Sequence, residues 1–236
     1  RGFSALYQGR PTAEDGDLFR RENIKYFNRK DVPDDMRIYA ASDHAVGVDK
    51  TRNDATCLLI VGVDRNDDIF LLDCWWEKRT TDKVVDAMLE LMRKWKPLIW
   101  WAEKGHISKA IGPFLRKRMG EEKVYCRIEE VTPVANKVQR AQSILGRMAM
   151  NKVLFPRQSV WTQKATDELL KFPNGRNDDF VDTLAWVGMG LARLTTPGGG
   201  IVKSDSRPKV GTLAWVKWDS AQRRKQQFLE NKTGGW

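Results

Sequence analysis

The stretch Leu98-Ile99-Trp100-Trp101-Ala102-Glu103 decides the fold class. Its five apolar residues in a row have the length of a strand that is covered on both faces, as parallel strands are. Glu103 follows them directly, and a carboxylate there is costly to desolvate unless it reaches the sheet edge or a cation. The stretch therefore predicts a buried parallel strand that carries a functional carboxylate at its carboxyl end.

The segments on either side of this strand predict an α/β fold. Upstream, three strands joined by short connections predict an antiparallel meander, and downstream, helices and strands alternate up to residue 194. This order predicts a mixed sheet, with three antiparallel strands followed by parallel strands, flanked by helices. The predicted strands are 37–43, 55–63, 69–75, 98–102, 123–131 and 153–155; the predicted helices are 80–95, 107–119 (interrupted at Gly112-Pro113), 138–150, 161–170 and 178–194.

The chain is predicted to have three parts. Residues 1–36 form a polar extension, residues 37–194 carry the regular periodicity, and residues 195–236 form a basic tail with Trp215, Trp218 and Trp236. The tail opens on Thr195-Thr196-Pro197-Gly198-Gly199-Gly200, which has the composition of a linker. Such a tail docks on a partner protein, binds DNA or is disordered in isolation, and its composition leaves these alternatives open.

Composition excludes several classes of protein. The 236 residues are 41% hydrophobic, which is too apolar for a disordered chain, and no apolar run approaches the roughly 20 residues of a membrane span. Three cysteines without a CxxC pair argue against a disulfide framework or a cysteine zinc site and favour a reducing compartment. The net charge of +10 predicts a polyanionic partner, although half of it lies in the final 40 residues.

Carboxylates recur where the predicted elements bring strand and helix ends together. Asp43 closes the first strand, and Asp178, Asp179 and Asp182 open the last helix with a spacing that places them near one another. Asp43 could be a turn residue, and the helix residues could be ordinary partners of the helix dipole. Ligands of open α/β sheets, however, bind beyond the carboxyl ends of the strands. Together with Glu103, these residues predict a divalent cation with oxygen ligands, Mg²⁺ or Mn²⁺.

Three motifs in this order resemble the nuclease domain of tailed-bacteriophage terminase large subunits, which belongs to the RNase H-like superfamily close to the RuvC resolvases. They are Ser42-Asp43, Trp101-Ala102-Glu103 and Asn177-Asp178-Asp179-Phe180-Val181-Asp182-Thr183-Leu184-Ala185. The resemblance spans residues 1–194, and residues 3–11 resemble the segment that joins the terminase motor to its nuclease. It implies an RNase H-like mixed sheet and a metal-dependent DNA endonuclease that cleaves concatemeric viral DNA during genome packaging, by two-metal activation of water.

The resemblance also implies a role for each carboxylate. Asp43 would bridge two metal ions, Glu103 would bind one, and Asp178, Asp179 and Asp182 would complete the site, with Asp179 the first choice among the three. A further aspartate of the family corresponds to Asp49 or Asp54. The implied cofactor is Mg²⁺ or Mn²⁺ in a two-metal site.

The partners implied by the resemblance are double-stranded DNA, the portal, the small terminase subunit and an ATPase motor in the same full-length chain. No GxxxxGK[ST] phosphate loop occurs here, so a fragment without the motor is expected. The expected location is the cytoplasm of the infected bacterial host, with no membrane. The candidate DNA contacts are Lys104, Lys109, Lys137, Arg140 and Arg147.

Two other functions remain open at this point: a Holliday-junction resolvase-like nuclease, and a non-catalytic RNase H-like module that binds DNA or the portal. His44 and His106 each lie near a proposed ligand and could orient water or phosphate, although a non-catalytic role is the simpler interpretation.

Overall fold

A computed structural model describes residues 18–45, 55–105, 111–132 and 136–195, which form one seven-stranded sheet with five α-helices. None of these helices is long and apolar enough to cross a bilayer. The strands are β1 (Lys25–Phe27), β2 (Arg37–Asp43), β3 (Thr56–Val63), β4 (Ile69–Glu77), β5 (Ile99–Glu103), β6 (Arg127–Val131) and β7 (Val153–Pro156). The helices are α1 (Thr81–Trp95), α2 (Gly112–Glu122), α3 (Lys137–Ala149), α4 (Thr162–Lys171) and α5 (Asp179–Thr195).

The sheet is mixed, with the strand order β1-β7-β4-β3-β2-β5-β6. β3 runs antiparallel to its neighbours β2 and β4, and all other neighbouring pairs are parallel. The predicted fold class, three antiparallel strands followed by parallel strands with flanking helices, is confirmed. β5 lies between β2 and β6, and Trp100 and Trp101 are fully buried, as expected for a parallel strand covered on both faces.

β1 is a strand that the sequence pattern did not predict. It lies within the predicted N-terminal extension and pairs in parallel with β7 at the edge of the sheet. Phe19, Ile24 and Phe27 are buried around it. A three-residue strand is too short to show a period of two, which is why the pattern gave no sign of it. The division of the chain into three parts stays a prediction.

Helix α2 begins at Gly112 in the part of the chain that the structure describes, and residues 107–110 of the predicted helix lie outside that part. Pro113 falls in the first turn, where its missing N–H has no intrahelical partner. The helix ends at Glu122, and Lys123 follows in the left-handed conformation with a φ of 54°.

Alternate residues of β2 and β5 face opposite sides of the sheet. Ala41 and Trp101 belong to the core that includes residues of α3, α4 and α5, whereas Trp100 belongs to the core that includes residues of α1 and α2. Asp43 and Glu103 come two residues after Ala41 and Trp101, so they lie on the same side of the sheet as α5. The alternation of the strands therefore directs both strand carboxylates towards the last helix.

Helix α5 packs closely on the sheet and on α3 because two of its residues are glycines. A Cβ at Gly190 would lie 2.2 Å from Cδ2 of Trp101, and a Cβ at Gly188 would lie 2.5 Å from Oγ of Ser143. The Trp101 ring also stacks on Tyr39, with 5.1 Å between the ring centroids. These contacts fix how near the helix comes to the strands that carry the carboxylates.

Candidate active site

The two strand carboxylates lie at the same level of the sheet. Asp43 is the last residue of β2 and Glu103 the last residue of β5. Ser42 pairs with Ala102 in the parallel register of the two strands, so the carboxylates follow at equivalent positions on strands about 4.8 Å apart. Both residues are partly exposed. The structure brings these two predicted residues together at the carboxyl ends of neighbouring strands.

The other three predicted carboxylates lie at the start of α5. Asp179 is the first residue of the helix, and the carbonyl oxygen of Asp178 accepts a hydrogen bond of 2.8 Å from the N–H of Asp182. Asp179 and Asp182 are 8% and 7% exposed, and Asp178 is partly exposed. Negative side chains in the first turn are favoured by the helix dipole.

The strand and helix carboxylates lie within electrostatic reach of one another. Burial raises the pKa of Asp43 well above its ordinary value, and the charges of Asp182, Asp179, Glu103 and Asp178 raise it further. A cation would relieve this repulsion, and carboxylate oxygens are the donors that Mg²⁺ and Mn²⁺ prefer. In the described ranges, no three His, Cys, Asp or Glu side chains are already arranged to hold a metal ion. The donor chemistry therefore fits a divalent cation, while coordination would require the side chains to draw together.

Two cations from α3 compensate part of this negative charge. Nζ of Lys137 contacts Oδ2 of Asp178 and lies 3.6 Å from Oδ2 of Asp182. Nη2 of Arg140 lies 2.8 Å from Oδ1 of Asp182, and both of these side chains are only 10% exposed. The Arg140 guanidinium also lies over the ring of Trp186, 5.2 Å from its centroid. Asp178 and Asp182 are therefore held in ion pairs.

The charge of Lys137 is stabilised by the same carboxylates. Burial lowers the pKa of Lys137, but its hydrogen bond to Asp178 and the charges of Asp182, Asp178 and Asp43 outweigh burial and keep the pKa above its ordinary value.

Asp179 accepts hydrogen bonds from neutral groups. Its Oδ2 accepts one from Nε1 of Trp76 at 3.2 Å and one from the backbone N–H of Ala55 at 3.4 Å. The hydroxyl of Thr183 donates to the Asp179 carbonyl oxygen at 2.7 Å, which ties the first turn of the helix together. Trp76 is a residue that sequence reasoning missed, although its place at the end of a strand on the carboxylate side of the sheet was a usable signal.

Glu168 of α4 caps the start of α5. Its Oε1 accepts hydrogen bonds from the N–H groups of Phe180 at 2.7 Å and Val181 at 3.2 Å, two of the donors that a helix start leaves without intrahelical partners. Burial raises the pKa of Glu168 to about 7, against the opposing effect of these two hydrogen bonds. Sequence reasoning missed this residue too. The available signal was a charged residue among the core positions Ala165 and Leu169 of one helix.

The basic residues predicted to contact DNA fall in different environments. Lys104 is exposed directly after Glu103, and the Lys137 side chain is 53% exposed. The guanidinium of Arg140 is directed at Asp182 instead of solvent. Arg147 lies in the last turn of α3, ten residues from Lys137, or about 15 Å along the helix. Of the predicted DNA contacts that the structure describes, Lys104 and Lys137 combine an exposed side chain with a place beside the carboxylates.

His44 is buried at the end of β2, with Nε2 2.8 Å from Oγ of Ser42. The same hydroxyl oxygen accepts a hydrogen bond of 2.9 Å from Nε1 of Trp100. These contacts give His44 a place in a buried polar network. Other predicted positions lie outside the described residues: Asp49, Asp54, His106, Lys109 and the tail after residue 195.

No protein-family model and no curated protein sequence matches the chain. Solved structures do match. The large terminase nuclease from thermophilic phage G20c, with bound magnesium, is 14% identical at a TM-score of 0.53, over 74% of this chain and 97% of that one. The same nuclease with bound cobalt is 13% identical at a TM-score of 0.51, again over 74% and 97%.

A longer protein shares the same fold in part. The large terminase from another thermophilic bacteriophage, in complex with ADP, is 8% identical at a TM-score of 0.50, over 72% of this chain and 42% of that one. At these identities the likeness concerns the fold. The resemblance predicted from the sequence motifs is confirmed at this level: the chain has the fold of a large terminase nuclease domain.

Proposed function

We propose that the chain is a metal-dependent DNA endonuclease that cleaves concatemeric viral DNA during genome packaging. One observation carries the proposal: Asp43, Glu103 and Asp179 come from three separate elements to one end of the sheet, in the fold of a large terminase nuclease domain. The raised pKa of Asp43 supports it, because burial raises this pKa and the charges of the neighbouring carboxylates raise it further.

Asp43, Glu103 and Asp179 are the residues that would hold Mg²⁺ or Mn²⁺. When bound, a pair of such ions activates water and stabilises the leaving 3′ oxygen of the DNA. Asp178 and Asp182 take a different role in this proposal, because Lys137 and Arg140 already hold them in ion pairs. These two carboxylates fix the position of the first turn of α5 against α3.

The substrate would be held through its phosphates. Lys104 is exposed next to Glu103, and the exposed part of Lys137 lies beside the same cluster, so both can meet a phosphate near the carboxylates. Contacts of this kind are independent of DNA sequence and weaken as salt is added. The net charge of +10 fits such a substrate.

The wider assignment follows the family that the fold resembles. The longer terminase, of which this chain covers 42%, was solved with ADP, and we propose that an ATPase motor belongs to the same full-length chain here. Double-stranded DNA, the portal and the small terminase subunit are the proposed partners, in the cytoplasm of the infected bacterial host.

The test is cleavage of supercoiled plasmid by the 236-residue chain in Mg²⁺ or Mn²⁺. Asp43→Ala and Glu103→Ala should abolish cleavage while the folded state is retained, as judged by circular dichroism. Glu90→Ala, an exposed carboxylate on α1, is the matched control and should cleave like the wild type. Full activity in both site variants would overturn the proposed site.

The same assay separates the two remaining alternatives. A marked preference for four-way junctions over linear duplex would indicate a resolvase-like nuclease. DNA binding without cleavage in either metal, by the folded chain, would indicate a non-catalytic module.

A further inference from the structure

Trp76 lies at the point where the strand carboxylates and the helix carboxylates approach one another. It belongs to the last part of β4 and packs against the core that includes residues of α5. Its Nε1 donates to Oδ2 of Asp179 at 3.2 Å. An indole N–H is a donor only, so this hydrogen bond fixes which oxygen of the carboxylate faces the strand.

The ring of Trp76 is itself held in place by its neighbours. It stacks on Phe180 with 5.8 Å between the centroids and 29° between the planes, and Nζ of Lys164 lies 3.3 Å from its centroid. A cation over the face of an indole is an attractive contact, strongest for tryptophan among the aromatic residues. The donor therefore projects from a ring whose orientation is set by packing.

The hydrogen bond from Trp76 orients Asp179 without bringing a charge of its own. The indole carries no net charge, in contrast to the ammonium of Lys137 and the guanidinium of Arg140, which form ion pairs with Asp178 and Asp182. A metal ligand has to keep its negative charge and yet be held in a defined orientation. A neutral donor on a rigid ring meets both requirements.

We propose that Trp76 is a positioning residue that orients the carboxylate of Asp179 for a divalent cation. This inference rests on the proposed function, because it assigns Asp179 as a ligand. Partners of this kind, which hold a ligand without touching the metal, typically change metal affinity by about 10- to 100-fold when they are lost.

The experiment measures Mn²⁺ binding to the 236-residue chain by isothermal titration calorimetry, without DNA. Trp76→Phe keeps one aromatic ring for the contacts with Phe180 and Lys164 and removes the N–H together with the rest of the indole, and it should weaken Mn²⁺ binding about 10-fold. Trp95→Phe is the matched control, since it removes an indole hydrogen bond to Asp73 on the opposite face of the sheet. This control should bind Mn²⁺ as the wild type does.

Each outcome bears on one of the two proposals. Equal Mn²⁺ affinity in the wild type and a folded Trp76→Phe would overturn the role of Trp76 while leaving the proposed function intact. No Mn²⁺ binding by the folded wild type would overturn the proposed function, and the role of Trp76 with it. If Trp76→Phe does not fold, replacing the Trp76 indole with benzothiophene keeps a bicyclic ring of the same shape and removes the N–H, and unchanged Mn²⁺ affinity in that protein would count against the proposal.

Discussion

Asp73 and Asp179 each accept a hydrogen bond from an indole, on opposite faces of the sheet and in different electrostatic surroundings. Nε1 of Trp95 donates to Asp73 at 2.8 Å, and Nε1 of Trp76 donates to Asp179 at 3.2 Å. At Asp73 a cation joins the indole, because Nζ of Lys94 lies 2.7 Å from the same Oδ2. At Asp179 the backbone N–H of Ala55 joins it.

The difference shows that a carboxylate–indole hydrogen bond does not by itself identify a functional site. On the α1 side of the sheet, indole and ammonium together satisfy Asp73, which thereby ties β4 to the end of α1. On the α5 side, Asp179 lies near other carboxylates. Its charge and theirs raise the pKa of Asp43. The surrounding charge decides between a structural and a functional role.

The largest expected effect distinguishes Asp179 from Asp73 by removing the charge of one carboxylate at a time. Asp179→Asn should slow plasmid cleavage by about 10³-fold, because a lost metal ligand forfeits several kcal/mol of transition-state stabilisation. Asp73→Asn should leave the cleavage rate unchanged, since it lies on the opposite face. Initial rates at saturating Mg²⁺ measure both variants, and equal losses would erase the distinction between the two faces.

The second prediction concerns a carboxylate that is held by a cation on the α5 side. Arg140→Met should lower the free energy of unfolding by about 3 kcal/mol, because it removes the nearly buried partner of Asp182 and leaves only the more exposed Lys137, 3.6 Å away. Urea denaturation measures the loss. Adding Asp182→Asn to Arg140→Met should recover part of it, and a double variant as unstable as the single one would contradict the ion-pair explanation.

The third prediction is a pH dependence that belongs to the α5 side alone. Glu168 has a pKa of about 7 in the folded chain, above its ordinary value of 4.5, so the folded state binds this proton more tightly than the unfolded state. The resulting stabilisation is full below pH 4.5 and is lost as pH rises through about 7. Glutamine does not titrate, so Glu168→Gln should lack this loss.

Urea denaturation of wild type and Glu168→Gln across this pH range measures the effect. The stability of the wild type relative to the variant should fall by up to about 3 kcal/mol as pH rises. Taking the difference cancels the titration of Asp43 and the other carboxylates. A difference that does not change with pH would show that Glu168 titrates normally.

The smallest effect is expected on the other face. Lys94→Met removes a cation whose side chain is 52% exposed, and exposed ion pairs contribute about 0–1 kcal/mol. Thermal unfolding should register at most this change, and high salt should reduce it further because salt screens exposed charges. A loss as large as that of Arg140→Met would mean that Asp73 is as dependent on its cation as Asp182.

The sequence allowed the sheet and the carboxylate positions to be predicted because they depend on local patterns. The apolar run before Glu103 and the spacing of Asp178, Asp179 and Asp182 are visible within a few residues. The edge strand β1 was not predictable, because its three residues pair with β7 more than 120 positions away in the chain. Long-range pairing of so short a segment leaves no periodic trace.

For the contacts that support the site, the sequence can mark the residue but not its partner. Trp76 follows a predicted strand, and only the fold shows that its N–H meets Asp179, 103 residues further along. Arg140 was predicted to contact phosphate, whereas its guanidinium in the folded chain lies against Asp182. Side chains of one type serve either purpose, and the pairing depends on which helices the fold brings together.

The two glycines of α5 help to set the distance between the strand carboxylates and the helix carboxylates, although they lie far from both. Gly190 lies eleven residues, or about 16 Å along the helix axis, from Asp179, and its missing side chain sets how near the helix comes to Trp101. Productive active-site geometry tolerates errors of about 0.5 Å. A methyl group at position 190 would clash with Trp101 and shift α5, and the shift would reach the proposed ligand Asp179 at the start of the same helix. The distance between the strand carboxylates and the helix carboxylates therefore depends on the whole contact between α5 and the sheet, including residues far from the proposed site.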